Sequence, residues 1–228
     1  VEPELLLQLS RHDAFHVCLE YGLEFPRHDD PLPPELLQLA GEILAAQDGQ
    51  EFIERAAEVG HALWTEDAAT LEQLAKQYGS ASEAILSERV AAGTARREAL
   101  KHYSGAMFYY GGEWYWGVDR LYHLEQRFVD LGIDREPAAP PLVPRPVVEP
   151  AALKDDGSLT LEIYPSLRSP YTAIIFDRAV KLAHDTGVIL AVRPVLPMVM
   201  RGVPATRQKG MYIFSDAARE ARAAGVPF

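Results

Sequence analysis

Residues 159–171 read LTLEIYPSLRSPY, and residues 187–194 read GVILAVRP. The first stretch alternates from Leu159 to Tyr164 in the period of two that sets successive side chains of a strand on opposite faces. Ser169-Pro170 then carries a helix-start signature, a serine at the cap and a proline at the first helical position. That helix runs to about Asp185 and stops at Gly187. Val188 to Arg193 is β-branched and reads as a second strand. Strand, helix and strand make a βαβ unit with parallel strands and a right-handed crossover. Pro194, Pro197 and Pro204 punctuate a loop, and a helix follows around Tyr212 to Ala224.

Upstream, Gly111-Gly112 separates the aromatic-rich runs Ser104–Tyr110 and Glu113–Gly117. Both glycines can take positive φ, so the pair predicts an antiparallel hairpin. A helix from Asp119 to about Leu131 follows, with Leu121, Leu124 and Phe128 on one face. Before the hairpin, apolar residues recur at helical spacing over Leu36–Ala46, Phe52–Trp64, Ala69–Tyr78 and Ala81–Leu100. Between the hairpin helix and the βαβ unit lies EPAAPPLVPRPVVEP, residues 136–150. Proline lacks the amide proton and fixes φ, so this segment should be extended and exposed. The chain therefore divides into 1–135, a linker at 136–157, and 158–228.

Composition narrows the function classes. The 228 residues carry a formal net charge of −11, which disfavours nucleic acid as a partner. No apolar run reaches the roughly 20 residues that span a bilayer, and no leader segment is visible, so a cytoplasmic, non-membrane setting is the expectation. Cys18 is the one cysteine. It cannot form an internal disulfide or serve a dithiol oxidoreductase. The seven histidines show no metal-ligand spacing, so no metal is expected.

One internal similarity bears on the organisation. HDAFHVCLEYGLEF (12–25) aligns with SDAAREARAAGVPF (215–228), with Asp, Ala, Gly and Phe coincident. Either two unrelated helices end in glycine, or one element occurs twice.

The stretch Leu161-Glu-Ile-Tyr-Pro-Ser-Leu-Arg-Ser-Pro-Tyr171 resembles the first strand and active-site turn of the 2-hydroxychromene-2-carboxylate isomerase and kappa-class glutathione transferase family, the DsbA-like branch of the thioredoxin fold. Arg193-Pro194, Lys209-Gly-Met-Tyr212, Asp216, Arg219 and Gly225-Val-Pro227 follow in the family's order. Gly105 to Gly117 with Val118-Asp-Arg-Leu121 resembles its closing hairpin and last helix, and the helical segment before them resembles its insertion. The resemblance implies an α/β, thioredoxin-like (DsbA-like) fold with a helical insertion domain. The segments stand in tandem or permuted order, because the insertion and hairpin come first and the βαβ unit last. In the tandem case the chain holds the back of one copy and the front of a second. The hairpin must then join a βαβ unit, within the chain, with a second copy in a homodimer, or with residues beyond this sequence.

The resemblance also assigns sites. The family's serine before Pro-Tyr, here Ser169, would hydrogen-bond the thiolate of bound glutathione at a helix N-terminus; an ordinary N-cap is the alternative. Asp119 and the amides near Val118 would hold the γ-glutamyl end, against a reading of Asp119 as a cap with Arg120 solvated. Lys209, placed in a loop before its helix, would lie near the glycyl carboxylate or the organic substrate. Tyr171 and Tyr212 would line the substrate pocket. Two departures weaken glutathione binding by the hairpin's copy. Val118 replaces a small polar residue, and Ala106 stands where thioredoxin folds usually place a cis-proline, so a trans bond is expected there. Tyr109, Tyr110, Trp114, Tyr115 and Trp116 either line an aromatic pocket or cover a core. The implied activity is a glutathione-dependent isomerase or transferase acting on an electrophilic, aromatic small molecule. The alternative is a non-catalytic binding or dimerisation module.

Overall fold

The computed structural model describes residues 3–23, 31–145, 147, 152, 154–202 and 205–228. Those residues are mainly helical with four short strands. The chain forms two compact units, Val1–Arg96 and Arg97–Phe228. No helix among the described residues is long and apolar enough to cross a membrane.

The first unit holds α1 (Pro3–Glu20), α2 (Pro34–Ala45), α3 (Gly49–Trp64), α4 (Ala68–Tyr78) and most of α5 (Glu83–Ala99). Pro34 opens α2, and Asp67 caps α4 by accepting the Thr70 amide at 2.9 Å. The i, i+4, i+7 rows of the three middle helices meet in one core: Leu36, Ala40 and Ile43 from α2, Val59 and Ala62 from α3, Leu71 and Leu74 from α4. Gln47, 1% exposed, fastens the end of α2. Its amide donates to the carbonyls of Ile43 and Tyr78 at 2.9 and 3.1 Å, and Arg55 donates to its oxygen. Arg89 of α5 reaches the Gln47 carbonyl at 2.6 Å and the Asp48 carboxylate at 2.8 Å.

The second unit contains the expected elements. β1 (Met107–Tyr110) pairs antiparallel with β2 (Glu113–Trp116), and α6 (Leu121–Asp130) follows. β3 (Thr160–Ile163), α7 (Pro170–Thr186) and β4 (Ile189–Val192) form a βαβ unit, with Thr160 opposite Ile189 in parallel register. Gly187 ends α7 at φ +81°, and a Cβ there would lie 2.2 Å from the Asp155 carbonyl, so only glycine fits. α8 (Arg207–Ala224) begins five residues earlier than the sequence pattern suggests, because Thr206 caps it through the Lys209 amide.

Of the three expected ways to join the hairpin to a βαβ unit, the one within the chain does not occur among the described residues. There the hairpin and the βαβ unit form two separate two-stranded sheets. The hairpin instead engages α8, whose Arg219 bonds the Trp114 carbonyl at 3.3 Å and the Glu113 carboxylate at 3.0 Å. Side-chain ion pairs and rings make this contact where a strand ladder was expected. Of the hairpin aromatics, Tyr115 is buried, whereas Phe108, Tyr109 and Trp116 stay substantially exposed.

The described residues of the Pro-rich stretch form no helix or strand and are mostly exposed. They are tethered all the same. Glu125 of α6 accepts the amides of Leu142 and Val143 at 2.7 and 2.9 Å, and Arg145 pairs with Glu220 of α8 at 3.0 Å. The repeated segments are both helical, but in α8 Asp216 and Ala217 are buried, while Asp13 of α1 is exposed. Phe25 lies outside the described residues.

Replacing Gln47 by alanine strands buried groups that now have partners. Urea unfolding should show a loss of about 1–3 kcal/mol, against about 0.5 or less for the exposed control Gln50→Ala.

Candidate functional site

Ser169 closes the turn between β3 and α7. Its amide donates to the Ser166 carbonyl at 2.9 Å, and its own carbonyl accepts the Thr172 amide at 3.1 Å. Its backbone is extended, as at an N-cap, but its side chain makes no capping hydrogen bond. The serine therefore occupies a cap position without spending its hydroxyl on the helix.

Two residues on, the α7 face turns toward α8. Tyr171 donates its phenolic proton to Asp216 at 2.8 Å, and Tyr212, one turn before Asp216 on α8, donates to it at 3.2 Å. Arg120 supplies Nε at 2.9 and 3.2 Å to the two carboxylate oxygens and NH2 at 3.1 Å to one of them. Arg219 approaches at 3.5 Å. Asp216 is 1% exposed, so this buried charge survives because four side chains meet its lone pairs. Burial works against the Arg120 charge, but Asp216, with Asp119 and Glu220, holds the guanidinium firmly protonated. Burial and the adjacent Asp216 charge push Tyr171 and Tyr212 far above the ordinary phenol range. Both tyrosines act here as neutral donors.

One turn along α8, Glu220 forms a second centre. It accepts from Tyr122 and from Arg145 (3.0 Å) and contacts the His123 ring at 2.7 Å. Burial alone would raise its carboxyl. Hydrogen bonds from His123 and Tyr122 and the charges of Arg120 and Arg145 win and hold it at about 2.

The remaining sequence-assigned residues stand outside the Asp216 cluster or at its rim. Asp119 is exposed and already pairs with Arg120 at 2.6 Å, in a short turn over Val118–Arg120. Arg120 itself is not solvated, since its side chain is 19% exposed and spans Asp119 and Asp216. Lys209 lies in the first turn of α8 rather than in a loop. Ala106 has φ +53° and no cis bond, and its carbonyl accepts the Gly117 amide at 3.2 Å.

A cavity of about 260 Å³ opens beside this cluster, between the segment Leu100–His102, the β2 residues Glu113 and Trp114, and Tyr212 and Arg219 of α8. Its walls are fixed. Trp114 donates its indole proton to the Leu100 carbonyl at 3.0 Å, and the His102 ring stacks on Tyr103 and meets Trp114 and Tyr212 at 4.7 and 5.1 Å.

No protein-family model, curated protein or solved structure matches the chain.

The functional reading thus rests on this geometry. The sequence singled out Tyr171 and Tyr212 but not what joins them. Their common partner Asp216, the paired Arg120 and the wall residue His102 were missed as site residues. The signal available was the spacing of Tyr212, Asp216 and Arg219 at i, i+4 and i+7, one helix face carrying a donor, an acid and a base.

Glu220 gives a pH prediction. Its folded value, about 2, lies below the usual 4.5, so its stabilisation is present above pH 4.5 and is lost as pH falls toward 2. The shift corresponds to something on the order of 3 kcal/mol. Stability measured by urea unfolding across this window should fall steeply in the parent protein and clearly less in Glu220→Gln.

Proposed function

We propose that the second unit is a thioredoxin-like module of the 2-hydroxychromene-2-carboxylate isomerase and kappa-class glutathione transferase type, with glutathione as cofactor and an electrophilic, aromatic small molecule as substrate. The observation that carries this reading is Ser169, a hydroxyl at the N-terminus of a 17-residue helix that it does not cap. The parallel β3–α7–β4 unit that presents it supports the reading, and the antiparallel hairpin would have to join a βαβ unit outside the pairing seen within the chain.

Those residues fit a thiol peptide in part. The Ser169 hydroxyl is available to donate to a thiolate in the positive end-field of α7. The chemistry that bound glutathione supplies is a thiolate that adds to an electrophilic carbon and, in isomerisation, departs again. Asp119 would meet an α-ammonium group only in competition with Arg120, and Lys209 stands in the first turn of α8 as a candidate for a carboxylate.

A second reading is a non-catalytic module for binding or dimerisation. It is favoured by the state of the other polar groups: the Tyr171 and Tyr212 hydroxyls are spent on Asp216, and Arg120 already takes one oxygen of Asp119. The unjoined sheets leave room for a second copy to complete one of them.

Calorimetric titration with glutathione separates the two readings, the first predicting saturable binding. The bound thiolate, followed by its ultraviolet absorbance against pH, should titrate higher in Ser169→Ala. Loss of one charge-assisted hydrogen bond, about 1.5–3 kcal/mol, should lower turnover by about one to two orders of magnitude with the fold intact. Absence of glutathione binding, or a thiolate unmoved by Ser169→Ala, leaves the second reading.

A further inference from the structure

His12 and His16 stand one turn apart on α1, both exposed, with their Nε2 atoms 3.2 Å from each other and their ring centroids 4.5 Å apart. Spacing in the chain alone does not mark them as ligands. An interval of four becomes a common face only in a helix, where residues i and i+4 stand one above the other.

The distance between the two nitrogens is what a metal ion reads. Zinc holds imidazole nitrogens at about 2.0–2.1 Å, so two such bonds at the tetrahedral angle leave the nitrogens about 3.3–3.4 Å apart, and at a right angle about 2.9 Å. The observed 3.2 Å lies between these values. Without an ion the same approach serves an N–H···N hydrogen bond between the rings. For both lone pairs to meet an ion, the donating ring carries its proton on Nδ1 instead, which is its other neutral tautomer.

The surroundings suit a cation with a preference for nitrogen. Imidazole favours zinc, copper and nickel over magnesium or calcium. Asp13 follows His12 directly and Glu20 stands one turn beyond His16, both exposed, while Arg11, the one Lys or Arg of α1, is itself engaged. Cys18 is two positions on from His16 and so lies off that face. Among the described residues no third histidine, cysteine or acid joins the pair in a ligand group. The pair therefore fills two coordination positions and leaves the others to water or an outside donor. α1 supplies no residue to the packed core of its unit, so the usual source of helix stability, tertiary packing, gives it little there. An ion bridging one turn would tie its binding free energy to the helix.

We propose that His12 and His16 chelate a divalent ion of the zinc type through both Nε2 atoms, and that the ion clips this turn of α1. The site uses neither Ser169 nor the second unit, so it stands or falls apart from the glutathione reading.

The test is a calorimetric titration of the full chain with zinc chloride, with magnesium chloride as the hard-ion control. It is paired with the imidazole nitrogen signals of His12 and His16 and with amide hydrogen exchange along α1. Zinc should bind saturably and magnesium should not. Both Nε2 signals should move together, and exchange of the α1 amides should slow. His16→Asn leaves one ligand on an exposed surface, and zinc affinity should fall about tenfold or more as the chelate is lost. His61→Asn, which removes another exposed histidine, should leave it within twofold. Absence of saturable zinc binding, a shift in only one of the two rings, unchanged α1 exchange, or affinity within twofold of the parent in His16→Asn would each overturn the proposal.

Discussion

The second unit depends on one buried carboxylate. Asp216 draws together the hairpin side through Arg120, the βαβ helix through Tyr171, and its own helix through Tyr212 and Arg219. Each approach brings a donor to a charge that water does not reach, and the removal of any one leaves part of that charge unmet. An ion pair of this kind adds less net stability than its Coulomb energy suggests, but breaking it is costly, and it has strong directional demands. Those demands set where α6, α7 and α8 lie against one another. Two short sheets that share no ladder are held in one compact unit by side chains rather than by backbone.

The same cluster gives the neighbouring cavity its shape. Tyr212 cannot turn away without losing Asp216, and Arg219 is held by Glu113, Asp216 and the Trp114 carbonyl at once. His102 is fixed from the other side by the contacts of Nδ1 with the Ser104 backbone and by the stack on Tyr103. Rigid walls of this sort lower the ordering cost of binding. The Pro-rich segment is part of the construction too. Its described residues make no ladder; Glu125 of α6 takes the Leu142 and Val143 amides, and Glu220 of α8 takes the Arg145 side chain.

Much of the local structure was legible in the sequence. The alternation at Leu159–Tyr164, the Ser169-Pro170 start, Gly187 and Gly111-Gly112 gave the βαβ unit and the hairpin almost to the residue, because each signal is a local steric or capping rule. The start of α8 was set too late, since Thr206 lies in a proline-rich loop where a cap is easily passed over. Of the three routes by which the hairpin could join a βαβ unit, the one within the chain is not taken among the described residues: the hairpin contacts α8 instead. Nothing periodic announces a partner nearly a hundred residues away, as Arg120 is from Asp216. The alternative of a solvated Arg120 stayed open in the sequence for the same reason. His102 carries no motif, and only the packing of three rings and an unpaired nitrogen marks it.

The central claim is that Asp216 and Arg120 are coupled and that this coupling assembles the second unit. A double-mutant cycle with Asp216→Asn, Arg120→Gln and the paired variant, read by urea unfolding, measures it directly. The account predicts a coupling of about 2 kcal/mol or more, with each single variant nearly as damaging as the pair. Additive losses, with a coupling below about 0.5 kcal/mol, would contradict it.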